Sequence, residues 1–413
     1  MFTRKHSITD PLSRFFWPMN AEILRKRAEL RSGLHDFGNP PLEPAFTTLV
    51  DSLERDADLH PLGRFLMWNH LEEMLVLRLR LVDQWKRRSG RWERGRIVKP
   101  LFITGMPRSG STFLHDLLCV DPANRAPRVW EVMFPLSVTR KASQTFNWKI
   151  WNASMRLWLF RKIVPMADSV HPIRATSPQE CEAIHSFTFY SEEFITTNWL
   201  PEYETFLRHT DFNPTYEWQK RFMLYLQGEE TNVRWVLKSP DHSHNLDALF
   251  TVFPDAVIIQ THRNPREVLE SSLRLVEALH RLYAYSDGKE ERMRREVRVL
   301  AEAMERLLRF RDSHPELESR FLDVRYHDLV SNPLGIVKRI YDHWGYELSP
   351  ETLECMESLA SSRSRYPVKK REHLRGLPAD NAITELSLFK RYCARFGYNC
   401  QSEKPIRLAS NGQ

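Results

Sequence analysis

Four short apolar runs, each separated from the next by a long helical stretch, set the strongest limit on how this chain folds. They are Pro100-Leu101-Phe102-Ile103-Thr104, Val233-Arg234-Trp235-Val236-Leu237, Ala256-Val257-Ile258-Ile259-Gln260 and Phe321-Leu322-Asp323-Val324. Runs of this length are too short for helices and suit strands buried on both faces. Between them lie helical patterns. In 290–310, Met293, Val297, Leu300, Met304 and Leu307 recur on one face. Strands alternating with helices predict an α/β fold whose parallel sheet is covered on both sides. Residues 1–97 read differently, as charged and helical. Leu71, Leu75 and Leu79 repeat every fourth position within 66–88. The expected organisation is a helical N-terminal region, 1–97, packed on an α/β domain, 98–413.

Bulk properties exclude several classes. The 413 residues are 42% hydrophobic and 27% charged, which excludes a largely disordered chain. No segment reaches the roughly 18 uninterrupted apolar residues of a membrane-spanning helix. The start pairs Arg4 and Lys5 with no apolar core after them, since Asp10, Arg14 and Asn20 intervene, so no secretory signal is read. Five cysteines without a C-x-x-C pair suggest neither a disulfide framework nor a zinc site. A cytoplasmic protein is expected. The net charge of +7 is compatible with an anionic ligand. No nucleic-acid-binding motif accompanies it, so no nucleic-acid partner is expected.

Two segments carry chemistry. After the first run comes Gly105-Met106-Pro107-Arg108-Ser109-Gly110-Ser111-Thr112, followed by the apolar helical positions Phe113, Leu114, Leu117 and Leu118. Glycines allow a tight turn that brings backbone N–H groups near a ligand. A helix start adds N–H donors and partial positive charge. Arg108, Ser109, Ser111 and Thr112 add side-chain donors, which makes a site for a phosphate or sulfate. The spacing nearly matches the G-x-x-x-x-G-K-[ST] loop of nucleotide triphosphatases. However, Ser111 stands where their lysine would be, and the cation has moved to Arg108.

The third run leads into Thr261-His262-Arg263-Asn264-Pro265-Arg266-Glu267, with Ser271 eight positions after Arg263. Asn264 suits an N-cap, Pro265 the first helical position, and Glu267 a capping box. Arg263 therefore stands at the mouth of a strand, where open α/β sheets bind ligands. Taken alone it would be an ordinary surface arginine. Two anion motifs after two separate strands are a far stronger signal.

Pro107-Arg108-Ser109-Gly110-Ser111-Thr112 resembles the 5′-phosphosulfate loop of sulfotransferases that use 3′-phosphoadenosine 5′-phosphosulfate, in the P-R-S-G-[ST]-T form of bacterial, Golgi and protein-tyrosine members. The resemblance covers about residues 99–400. It implies a P-loop-like parallel sheet, sulfuryl transfer from that donor to a small-molecule or lipid-like hydroxyl acceptor, and no metal. It implies that Arg108, Ser109, Gly110, Ser111 and Thr112 hold the 5′ end, and that Arg263 and Ser271 hold the 3′-phosphate. Tyr326, in Asp323-Val324-Arg325-Tyr326-His327-Asp328-Leu329, resembles a segment placed near the adenine. The basic stretch 369–376 lies where the family closes a late loop over the 3′-phosphate, though without its R-K-G form.

The chemistry also needs a group on the moving sulfonate and a base for the acceptor's proton. Lys238 ends the second run and is expected to reach the sulfonate. Glu131, in Arg128-Val129-Trp130-Glu131, is the favoured base by resemblance, with Glu180, Glu182, His185 and His242 as alternatives. The pair His242 and His244 lacks a visible third ligand, so no metal site is expected. The stretch 146–164 is aromatic and basic. It reads either as a lid or core helix, or as an interfacial helix making peripheral contact with the inner face of a membrane. A P-loop-type kinase and a non-catalytic anion-binding module are the rival readings. The missing loop lysine argues against the first, and the paired motifs against the second.

Overall fold

Five parallel strands form one sheet in the computed structural model, which describes residues 9–87, 95–136, 147–163, 173–231, 233–285, 289–364 and 384–399. They are β1 (Leu101–Gly105), β2 (Asn124–Arg125), β3 (Arg234–Lys238), β4 (Val257–His262) and β5 (Phe321–Arg325), in the order β2-β3-β1-β4-β5. Four of them are the apolar runs. Pro100 stands just outside β1. It has no N–H to donate, but its carbonyl accepts from Val257 N at 3.0 Å. β4 runs two residues past its apolar stretch, through the buried Thr261 and His262. β2 has only two residues and leaves no pattern in the sequence.

The chain divides into two compact units. One comprises 98–126, 232–274 and 289–413 and contains the sheet. Alternation along the strands builds a core on each face. Leu101, Ile103, Val236, Val257 and Ile259 pack with Leu114, Leu117, Ile336, Val337 and Ile340 from helices Ser111–Leu118 and Pro333–Trp344. On the other side, Phe102 meets the His242 ring at 5.0 Å and Phe253 at 5.4 Å. Helix Lys289–Ser313 buries all five of its expected core positions.

The other unit comprises 1–97, 127–231 and 275–288 and is helical. Its N-terminal helices are Thr9–Phe16, Ala21–Ser32, Ala45–Arg55 and Pro61–Arg87. Leu71, Leu75 and Leu79 are fully buried. So is Arg78, whose guanidinium donates to the carbonyls of Phe37 (2.8 Å) and Phe187 (2.9 Å) and lies over the Trp218 ring. Burial pushes its pKa down to about 9. Cys119, Cys181 and Cys355 are free thiols. Cys393 is disulfide-bonded, which corrects the expectation of a chain without disulfides. Among the described residues no helix is long and apolar enough to cross a membrane.

Candidate active site at the carboxyl edge of the sheet

The parallel register brings the C-terminal ends of the strands to one edge. Gly105 pairs with Thr261, Ile103 with Lys238, and His262 with Arg325. Such an edge is where open α/β sheets bind ligands. Gly105 has φ +123°, and a Cβ there would lie 2.3 Å from the Thr261 carbonyl oxygen. Only glycine lets β1 leave the sheet so close to β4. Gly110 caps the next helix at φ +89°, with Leu329 and Tyr326 about to touch any added Cβ. Arg108 holds φ +64°, a left-handed conformation that costs a non-glycine residue about 1–2 kcal/mol. The loop is braced against this strain. The buried Ser109 hydroxyl donates to Met106 O and lies 2.6 Å from Thr261 Oγ1. Its side chain thus fixes the loop's shape, while Ser111 and Thr112 begin the helix whose first N–H groups point out of it.

The two anion motifs meet through direct bonds. Arg108 Nε donates to Ser271 Oγ at 3.0 Å. Arg263 Nη1 donates to the Arg108 carbonyl at 2.8 Å, and its Nε to Glu267 Oε2 at 2.9 Å. The Arg263 guanidinium lies 4.0 Å over the Tyr326 ring. Asn264 caps helix Pro265–Tyr283 by accepting from Arg266 N at 3.0 Å. Glu267, expected in a capping box, instead engages Arg263. Burial, and then the charge of Arg263, push the pKa of Arg108 down. Two half-buried cations held this close favour an anion between or beside them.

A buried network stands behind Arg263. His262 Nε2 bonds Asp323 Oδ1 at 2.8 Å, and Nδ1 bonds the Tyr392 hydroxyl at 3.0 Å. Arg311 forks onto Asp323 at 2.7 and 3.1 Å and also reaches Gln260 Oε1 at 2.8 Å. Burial raises the Asp323 carboxyl, but the bonds from His262 and Arg311 outweigh it and leave the group well below the usual range. Desolvation pushes His262 down despite its aspartate partner. Sequence reading gave these residues no role, because the partners lie up to 130 positions apart.

Lys238 ends β3 and is buried. Beside it, Thr104 Oγ1 donates to Ser239 O at 3.0 Å and lies 2.9 Å from Ser243 Oγ. His242 is fully buried, edge-on to Phe102. The remaining base candidates belong to the helical unit. Glu131 is buried at the third position of helix Val129–Met133, where Oε2 accepts from Arg128 N at 2.9 Å. Glu180 and Glu182 are half-buried around the start of helix Glu182–His185. His185 fills a core position against Gln219 (2.6 Å) and Tyr216, and burial pushes it down to about 4. The expected basic stretch 369–376 lies outside the described residues. Among the described residues, no group of three or more His, Cys, Asp or Glu is placed to hold a metal ion.

Comparison with known proteins gives this geometry a context. Residues 100–350 match a family model described as the sulfotransferase family. The omega-hydroxy-beta-dihydromenaquinone-9 sulfotransferase Stf3 of Mycobacterium bovis is 29% identical over 325 residues, covering 75% of this chain and 78% of its own. The Stf3 of Mycobacterium tuberculosis matches equally. Among solved structures, the sulfotransferase STF1 of Mycobacterium tuberculosis aligns with a TM-score of 0.76 at 28% identity, over 82% of this chain and 93% of that one. STF9 of Mycobacterium avium shares the fold, with a TM-score of 0.81 at 24% identity, over 92% of this chain and 97% of that one.

Proposed function

Since the chain belongs to the sulfotransferase family, we propose that it takes a sulfuryl group from 3′-phosphoadenosine 5′-phosphosulfate and passes it to the hydroxyl of a lipid-like acceptor. The observation that carries the donor is the pair of bonds joining the motifs, Arg108 to Ser271 and Arg263 to the Arg108 carbonyl. One bound molecule with an anion at each end would satisfy both arginines. The loop Arg108–Thr112 holds the 5′ end, and Arg263 and Ser271 hold the 3′-phosphate. Tyr326, under Arg263, offers a ring beside the adenosine. The bound donor supplies the sulfuryl group and leaves as the 3′,5′-bisphosphate.

The protein's share is positioning and charge stabilisation. Arg108 and the helix start stabilise the negative charge that gathers on the 5′-phosphate oxygen. Lys238 stabilises the sulfonate oxygens. Glu131 takes the acceptor's proton, a role assigned from the family resemblance, with Glu180, Glu182, His185 and His242 as the other groups a test must cover. Of these, His185 is the weakest choice, being pinned in a core with a lowered pKa.

A lipid-like acceptor is supported by the menaquinone-derived substrate in the names of the Stf3 relatives. Such an acceptor is dissolved in a membrane, which supports the reading of peripheral contact at its inner face. The experiment is transfer of radiolabelled sulfate from the donor to an isoprenoid alcohol in detergent. Labelled product supports the reading. In a parallel assay, radiolabelled phosphate incorporated from ATP–Mg²⁺ instead would revive the kinase.

A further inference from the structure

Helix Trp148–Ile163 carries four basic residues, Lys149, Arg156, Arg161 and Lys162, and no acidic one. Yet the side chains it shows to solvent are mostly large and apolar. Trp148, Trp151, Met155, Trp158 and Leu159 are 44–56% exposed. Their spacing of three, four, three and one places them on one stripe. The cations lie alongside. Lys149 is buried, with its ammonium on the Phe134 carbonyl at 3.3 Å. Arg156 pairs with Glu73 at 2.7 Å, and the Lys162 ammonium sits 5.6 Å over the Trp158 ring.

A second apolar patch borders the same neighbour. On helix Thr9–Phe16, Leu12, Phe15 and Phe16 are 54–78% exposed. Their rings continue inward from Phe15 to Phe16 (5.4 Å), Phe16 to Trp17 (6.1 Å) and Trp17 to Phe65 (5.1 Å). On helix Pro61–Arg87, Leu62, Phe65, Asn69 and Glu73 recur at three- and four-residue intervals and so form one outer stripe. Trp17 stands on Phe65, and Arg156 stands on Glu73, about 12 Å further along at 1.5 Å per residue. Both apolar patches therefore flank a single helix face within the helical unit.

Exposed large apolar side chains gathered on neighbouring helices, and not scattered singly, mark an interaction surface. The chemistry selects the partner. Tryptophan joins an apolar body to one N–H donor and collects at the boundary between acyl chains and headgroups. Of its cations Arg156 and Lys162 are exposed and match anionic headgroups, while Lys149 is buried on a carbonyl, and the helix Trp148–Ile163 itself carries no acidic residue to repel them. We propose that helices Thr9–Phe16 and Trp148–Ile163 form a two-part docking surface that seats the protein on an anionic lipid bilayer. The purpose rests on the lipid-like acceptor proposed above, since a bilayer is where such an acceptor is dissolved.

The test is flotation of the full chain with vesicles of phosphatidylcholine alone or mixed with phosphatidylglycerol. Wild type is compared with Trp151→Ala/Trp158→Ala and with Phe15→Ser/Phe16→Ser. Thermal unfolding and light scattering are run on each. Wild type is expected to float with the anionic vesicles and less with the neutral ones. The tryptophan pair should lose about tenfold or more in partitioning and the phenylalanine pair a few-fold, both with unchanged unfolding temperature. Wild type that does not float, or variants that float as well as wild type, would overturn the proposal. A wild-type dimer that the tryptophan pair converts to monomer, without vesicle binding, would also overturn it and assign the face to a second copy. Calorimetry with adenosine 3′,5′-bisphosphate separates this from the transfer reading. Vesicle binding without nucleotide binding sinks the transfer and leaves the docking, and the reverse result does the opposite.

Discussion

The sheet edge and the aromatic helices solve opposite problems. At the edge of the sheet, polar groups are withdrawn from water and every one named is aimed. Arg108 is strained and half-buried, Ser109 is locked to its own loop, and Arg263 is held by Glu267, Tyr326 and a carbonyl. In the helical unit, Trp148, Trp151 and Trp158 stand half in solvent. The difference teaches what each ligand class demands. An anion is recognised through fixed donor directions, so its site must be pre-organised. An apolar surface is recognised through area, which needs no exact directions.

The sharpest break with this contrast would come from the chemistry itself. Glu131→Gln should lower kcat by about 10²–10⁴ while nucleotide affinity stays as in wild type, because a general base contributes to the transition state and not to donor binding. Turnover at the wild-type rate would move the base to Glu180, Glu182, His185 or His242.

Rigidity at the sheet edge is tested next by a matched pair of glycines. Gly105→Ala puts a Cβ 2.3 Å from the Thr261 carbonyl and should cost about 3 kcal/mol or more in thermal unfolding. Gly33→Ala, at φ +70° with nothing within 4 Å, should cost only about 1 kcal/mol. Equal costs would mean that the close approach of β1 to β4 is not a real constraint.

Acid gives a third, smaller effect in both units. The pKa values of His185 and His262 are lowered in the folded state, chiefly by burial, the first from 6.5 to about 4. A depressed folded pKa contributes stability above the unfolded value that is lost as pH falls through the folded one. The unfolding temperature should therefore fall as pH drops from 6.5 toward 4, with Asp323 adding to the loss only below its ordinary 3.8. His185→Asn should flatten part of that slope. A wild-type curve level from pH 6.5 to 4 would contradict both histidine assignments.

The smallest effect is Ser271→Ala. It removes one neutral acceptor of Arg108 and should weaken adenosine 3′,5′-bisphosphate binding about tenfold or less, read by calorimetry.

What the sequence made legible follows the same contrast. β1, β3, β4 and β5 announce themselves because each is a short, mainly apolar run, whereas Asn124 and Arg125 of β2 are two polar residues whose partners, β3 and for Asn124 also Leu118 and Tyr341, appear only in the fold. Arg108 and Arg263 stand out because a glycine loop and an Asn-Pro cap surround them. The His262–Asp323–Arg311 network does not, because its members come together only after β4 and β5 pair. Glu267 shows the limit of a local rule: its place fits a capping box, but Arg263 one turn back takes its carboxylate. The tryptophans of 148–163 were visible as an apolar helix. Their outward direction was not, since a wide apolar face reads the same whether it meets a core or a bilayer.

The central claim is that Arg108 and Arg263 grip opposite ends of one adenosine nucleotide. It is tested most directly by titrating the wild-type protein calorimetrically with adenosine 3′,5′-bisphosphate, adenosine 5′-phosphate and adenosine 3′-phosphate. If both grips act on one molecule, the bisphosphate binds about a hundredfold tighter than either monophosphate, from the added charge-assisted hydrogen bonds at the second end. A monophosphate that binds as tightly as the bisphosphate would leave one of the two arginines without its role.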